Sequence, residues 1–189
     1  MILPVTVTFV FGAVFVAYTS ANEDYEEHAV PEEESYPINQ FLNKTEDIWI
    51  LNTTQEGVQS CRKDKNWYMT PNATYFYRSY EENGKKIVNK SLVGYFGNYD
   101  PEKDNSYNLI DISYESNHYK ELLAYSSDDG KCGVFKVFDL KTDKIWREVR
   151  IVGRPKESTT LYKNCTDDFE EYVKVLRENW TSPYAESCQ

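Results

Sequence analysis

Glycine is scarce in this chain, 8 of 189 residues, and no GxGxxG, Walker-type loop, GxSxG or HExxH pattern occurs. Phosphate-cradling loops and the common hydrolase and zinc-protease motifs are thereby excluded. Histidine is scarcer still, with only His28 and His118, and the four cysteines are too far apart to place two metal ligands on one local element. No metal and no cofactor is expected. Excess positive charge is also missing: 21 Lys and Arg face 31 Asp and Glu, giving a net charge of −10. Such a chain repels phosphate backbones, so a nucleic-acid partner is disfavoured.

Long apolar runs are missing after the first, MILPVTVTFVFGAVFVAYTSA, which ends abruptly at Asn22-Glu23-Asp24. Its length and small-residue end read as a secretory signal over residues 1–21, cleaved after Ala21, although no Lys or Arg precedes it. The competing reading, a membrane anchor, is disfavoured by Pro4, Thr6 and Thr8. A secreted, extracellular protein without membrane attachment is expected. Six N-x-S/T sequons agree with that route, at Asn43, Asn52, Asn72, Asn89, Asn164 and Asn179. In an oxidising compartment Cys61, Cys132, Cys165 and Cys188 imply two disulfides, with three possible pairings.

Residues 22–35 form an acidic segment with seven Asp and Glu and no Lys or Arg, so it carries −7 and leaves the rest of the chain at −3. Its composition predicts a flexible tail. Tyr25, between Glu-Asp and Glu-Glu, is a candidate for sulfation, which would favour a basic partner.

From Asp47 the chain reads as short strands separated by turns: Asp47–Asn52, Asn66–Met69, Thr74–Tyr80, Lys86–Phe96, Leu109–Tyr114, Tyr119–Tyr125, Cys132–Asp139 and Lys144–Val152. Glu82-Asn83-Gly84 marks a hairpin. Seven or eight strands at this spacing predict an antiparallel barrel or sandwich. Phe169, Tyr172, Val173 and Leu176 recur at i, i+3, i+4 and i+7, predicting a late amphipathic helix packed outside, with Asp167 and Asp168 favouring its start.

Three segments sharpen the fold: Leu122-Leu123-Ala124-Tyr125-Ser126-Ser127-Asp128-Asp129-Gly130-Lys131-Cys132, Asn164-Cys165 before the helix, and Ser187-Cys188 at the end. Together they resemble the salivary lipocalins of ticks, the histamine-binding group, over most of residues 36–189. The resemblance implies an all-β, eight-stranded antiparallel up-and-down barrel, bridges Cys132–Cys165 and Cys61–Cys188, and a monomer that binds a small host mediator.

The family's amine site has Cys-Asp-Val on one strand and Glu-Leu-Trp on the next. This chain has Cys132-Gly133-Val134 and Lys144-Ile145-Trp146, so both acids are missing and one position carries a cation. The candidate ligand residues are Trp49, Tyr119, Glu121, Lys144 and Trp146. Glu121 inside with Tyr119 and Trp146 would favour an amine such as histamine or serotonin. Lys144 inside would favour an anionic lipid mediator. Asp111 and Glu148, on adjacent strands, are further acids that could serve the site. A scaffold that binds a basic chemokine, a coagulation factor or a complement component is the other reading. An enzyme is not expected, because no Ser/His/Asp set or paired acids can be assembled and no catalytic residue is nominated.

Overall fold

The computed structural model describes residues 36–88, 91–102, 105–156 and 159–189. The expected signal peptide and the whole of the acidic tail, with Tyr25, lie outside the described residues, as does Asn89. Nine strands form one antiparallel sheet: β1 (Ile48–Thr53), β2 (Ser60–Thr70), β3 (Ala73–Glu82), β4 (Lys85–Val88), β5 (Leu92–Gly97), β6 (Leu109–Tyr114), β7 (Asn117–Ser126), β8 (Cys132–Asp139) and β9 (Lys144–Val152). The order β2-β1-β9-β8-β7-β6-β5-β3, closed by pairing of β2 with β3, makes an eight-stranded barrel of the lipocalin type.

β4 is the one strand outside the barrel. The run expected as a single strand, Lys86–Phe96, divides into β4 and β5, which pair with successive halves of β3: Ser79–Glu82 with β4 and Ala73–Phe76 with β5. A ten-residue β3 is long enough to hold both ladders. Asn83 and Gly84, both at positive φ, turn the β3–β4 hairpin as expected.

Alternation decides which side chains enter the barrel. On β9, Trp146 joins the interior core with Phe135, Val137 and Ile112, while Val149 and Ile151 pack outward against Phe169 and Val173 of α2 (Lys163–Leu176). Trp146 to Ile151 are therefore buried continuously, because one face meets the interior and the other the helix. A short 3-10 turn, Thr159–Tyr162, precedes α2, so the helix begins at Lys163 rather than near Asp167. Asp167 lies inside it, bonded to Lys163 one turn earlier. Arg177 ends the helix in the left-handed conformation, and Leu176 stays exposed.

Both bridges form as the resemblance implies. Cys132–Cys165 ties β8 to α2 across a separation of 33 residues, and Cys61–Cys188 ties β2 to the C-terminus across 127. In a chain-entropy account each contributes a few kcal/mol, the longer loop more. The tail reaches Cys61 by running beside β1, with Thr181 bridged to Thr53 and the Cys61 amide donating to the Pro183 carbonyl. Among the described residues no helix is long and apolar enough to cross a membrane.

Candidate ligand-binding site

One end of the barrel is closed by α1 (Ile38–Leu42), whose Ile38, Phe41 and Leu42 are all buried in the interior core. Ile38 is anchored by its amide donating to the Tyr107 carbonyl. Phe41 meets Phe135 edge-on at 5.3 Å. A Cβ at Gly133 would lie 2.9 Å from both Phe41 and Leu123, inside van der Waals contact. Glycine is thus required here by close approach, and the Phe41 ring fills the place toward which an acid at position 133 would project.

Above this plug lies a layer of six charged side chains with almost no exposure: Asp64, Glu121 and Glu148 against Arg62, Arg78 and Arg150. Arg78 binds Asp64 through two hydrogen bonds of 2.8 Å and Glu121 through a third. Arg150 donates to Glu121 at 2.5 Å and to Glu148 at 2.8 Å, with its guanidinium 4.1 Å from the Phe135 ring. Arg62 meets Glu148 at 2.9 Å and donates to Gln55 at 2.8 Å. Glu148 also accepts from the Trp146 indole at 2.8 Å. Unpaired charges here would cost several kcal/mol each, and the three-against-three arrangement offsets that.

The offset is uneven. Burial alone would raise the Glu121 carboxyl, but Arg150 and Arg78 overcome it and hold the group well below the usual carboxylate range. Glu148 is lowered in the same way by Arg62 and Arg150. Burial would depress Arg78 and Arg150, yet their acid neighbours raise both above the ordinary arginine value. Arg62 is the exception. Burial lowers it, Glu148 restores part of that, and Arg78 and Arg150 push it further down. Its Nε is buried without an acceptor. Arg62 is the cation with the least compensation in the layer.

The open end of the barrel holds a cavity of about 270 Å³ directly above this layer. Arg62 and Arg78 form its charged floor, Leu92 and Ile112 its apolar wall, and Tyr80, Tyr114, Tyr119 and Trp146 its aromatic wall. Tyr119 and Trp146 meet edge-on at 6.2 Å. No carboxylate lines it. Gln55 and Trp146 are shared with a larger groove of about 550 Å³ outside the rim, which carries Glu56, Asp139, Lys144, Ile145 and Glu178.

The five candidate residues therefore separate. Tyr119 and Trp146 stand together in the cavity wall. Glu121 is inside but beneath the arginines, fully buried, with one oxygen on Arg78 and the other on Arg150. Lys144 is exposed in the outer groove, two residues beyond Trp146 on β9. Trp49 corrects the expectation: it points away from the lumen, buried under the C-terminal tail against Tyr184 and the Cys61–Cys188 bridge. Lys63 covers its ring at 4.3 Å. Asp111 is likewise outside, bonded to His118 at 2.7 Å.

Asn43, Asn72, Asn164 and Asn179 are exposed, whereas Asn52 is buried opposite Val149 under α2 and the tail, where a glycan has no room. The residues that sequence reasoning passed over are the three arginines and Asp64. Their signal was present, since Glu148 and Arg150 share the inward parity of Trp146, and Arg78 shares that of Phe76.

No family model matches the chain, and no curated protein matches it. A solved structure described as the crystal structure of the AM182 serotonin complex has a TM-score of 0.57 to this one at 12% sequence identity. It covers 82% of this chain and 94% of that one. At this identity the likeness is one of fold, and it supports the lipocalin-like barrel.

Proposed function

We propose that this chain is a secreted carrier that sequesters a small amphipathic anion, a carboxylate on an apolar body, in the cavity at the open end of the barrel. The observation that carries this reading is the lining of that cavity: two guanidinium-bearing side chains, Arg62 and Arg78, in its floor and no carboxylate on its wall. An incoming carboxylate would meet these cations through charge-assisted bonds, and the aromatic wall would receive its apolar part. The inner cavity is small for a lipid. A longer chain would leave across Trp146 and lie along Ile145 in the outer groove, past Lys144.

A second reading follows from the groove itself, where Glu56, Asp139 and Glu178 outnumber Lys144. An aromatic amine, such as the serotonin of the structurally similar complex, would place its ammonium there and its ring on Trp146. The inner floor opposes the same amine, because it presents guanidinium groups. In either case the outcome is removal of a free mediator from solution, with host inflammation or haemostasis as its setting.

Calorimetric titration with a long-chain fatty carboxylate, serotonin and histamine tests both readings. The carboxylate should bind, and Arg62→Gln should weaken it by about tenfold or more, the value of a hydrogen bond to a charged group. Serotonin binding that survives Arg62→Gln and fails in Glu178→Gln would replace the first reading with the second. Absence of heat with all three ligands, from folded protein, would overturn small-mediator scavenging.

A further inference from the structure

Two spaces meet at the mouth of the barrel, the inner cavity of about 270 Å³ and the outer groove of about 550 Å³, and both are lined by Gln55 and Trp146. Trp146 is held in place, its indole donating to the buried Glu148 at 2.8 Å and its ring edge-on to Tyr119. Gln55, in the β1–β2 loop, is fixed at its backbone only. Its amide donates to Thr53 Oγ1 at 3.0 Å. The preceding Thr54 meets Arg147 of β9 twice, its amide donating to the Arg147 carbonyl and its hydroxyl accepting from the Arg147 amide, each at 3.0 Å. The half-buried Gln55 side chain is therefore the part of this boundary that can swing.

That side chain closes on Arg62. Its Oε1 accepts from Arg62 Nη1 at 2.8 Å, and the same nitrogen lies 2.9 Å from Glu148 Oε1. One guanidinium nitrogen is thus held between an acid of the ion layer and a carboxamide that lines the cavity. Arginine only donates, so the group of Gln55 that meets it is the carbonyl oxygen. A carboxylate oxygen offers the same acceptor and adds Coulomb attraction, which is strong where water is excluded.

We propose that Gln55 is the gate of the inner cavity and its selector for anions: its carboxamide occupies the place on Arg62 that a ligand carboxylate takes, and an entering carboxylate displaces it into the outer groove. The inference rests on the anion-carrier reading and names the group that must move for it. The exchange conserves hydrogen bonds. Arg62 replaces a neutral oxygen by a charged one, and the released carboxamide, on a side chain that already borders the groove, is solvated there. An ammonium group only donates, so it has nothing to put in the place of the Gln55 oxygen and leaves the gate shut. Displacement also opens the boundary beside Trp146, across which an apolar body longer than the inner cavity reaches Ile145.

The test is calorimetric titration of the full chain with a long-chain fatty carboxylate, joined to NMR of the Gln55 side-chain amide, whose signals are assigned by their loss in Gln55→Ala. Gln55→Ala removes the internal competitor and should tighten binding about threefold to tenfold, the value of one hydrogen bond. Gln55→Glu places a resident carboxylate on Arg62 and should weaken binding about tenfold or more. Gln59→Glu puts the same charge on the same cavity from the other end of the loop and should weaken it less than about threefold. In the unaltered protein the Gln55 amide signals should shift in step with saturation. Binding that Gln55→Ala leaves unchanged or weakens, amide signals that stay in place, or equal losses in Gln55→Glu and Gln59→Glu would each overturn the gate and leave the carrier reading standing. Absence of binding in both the unaltered protein and Gln55→Ala, each verified as folded, would overturn the two together, whereas binding by Gln55→Ala alone would support both.

Discussion

The two halves of the barrel interior use the same kinds of residue for opposite ends. In the closed half, Phe41, Phe135 and Leu123 meet across Gly133 without a gap, and above them Glu121 is enclosed by two arginines. In the open half, Tyr80, Tyr114, Tyr119 and Trp146 surround a space with Arg62 at its base. The difference is one of satisfaction. Below, the carboxylates face guanidinium partners; above, Arg62 and Arg78 border a cavity that no carboxylate lines. Cations at the edge of a cavity without acids are where an anionic ligand gains most.

The largest way to break the contrast is Arg150→Met, which leaves Glu121 and Glu148 each short of a cation in a dry interior. A loss of about 3–5 kcal/mol is expected by denaturant unfolding, the range for removing one partner of a buried ion pair. Restoring the missing acid by Gly133→Asp should cost about 1–3 kcal/mol through overpacking against Phe41. Combined with Phe41→Ala, the loss should be smaller than the sum of the two single losses, because the ring that the new side chain meets is gone, and the closed half should open, which amine titration would detect.

Acid should loosen the ion layer before the mouth. Glu121 and Glu148 have folded-state values below their ordinary 4.5. Their contribution is therefore complete above about pH 5 and is lost progressively as pH falls below 4.5 and toward those lowered values. Thermal melts from pH 6 to pH 2.5 should show this decline, and Glu121→Gln should flatten it. The smallest effect belongs to Lys144→Glu at the exposed rim. Stability should stay within about 0.5 kcal/mol, and carboxylate affinity should fall only about twofold at low salt, less at high salt.

Much of the barrel was legible along the chain, because Thr74–Tyr80 and Leu109–Tyr114 alternate and the β7–β8 and β8–β9 turns carry Gly or Asp. The split of β4 from β5 was not legible, since it depends on how long β3 runs beside them. Tyr119 and Trp146, candidates by sequence without a fixed register, stand together in the cavity wall. Trp49 was misjudged for a reason of parity: on β1 it alternates with Ile48, in the interior core, and Ile50, which pairs opposite the inward Arg150. The arginines were passed over because a charged residue on a strand ordinarily faces water. Only closure of the barrel showed three acids within reach of them.

Local chemistry in the sequence thus determined the strands, most turns, the late helix and the residue types available to a ligand. The tertiary structure decided which of those residues are free. Glu121 is a candidate counter-ion by sequence and a neutralised one in the fold, because Arg78 and Arg150 arrive from strands 43 and 29 residues away. Charge compensation in a dry interior depends on distance in space, and no reading along the chain contains that distance.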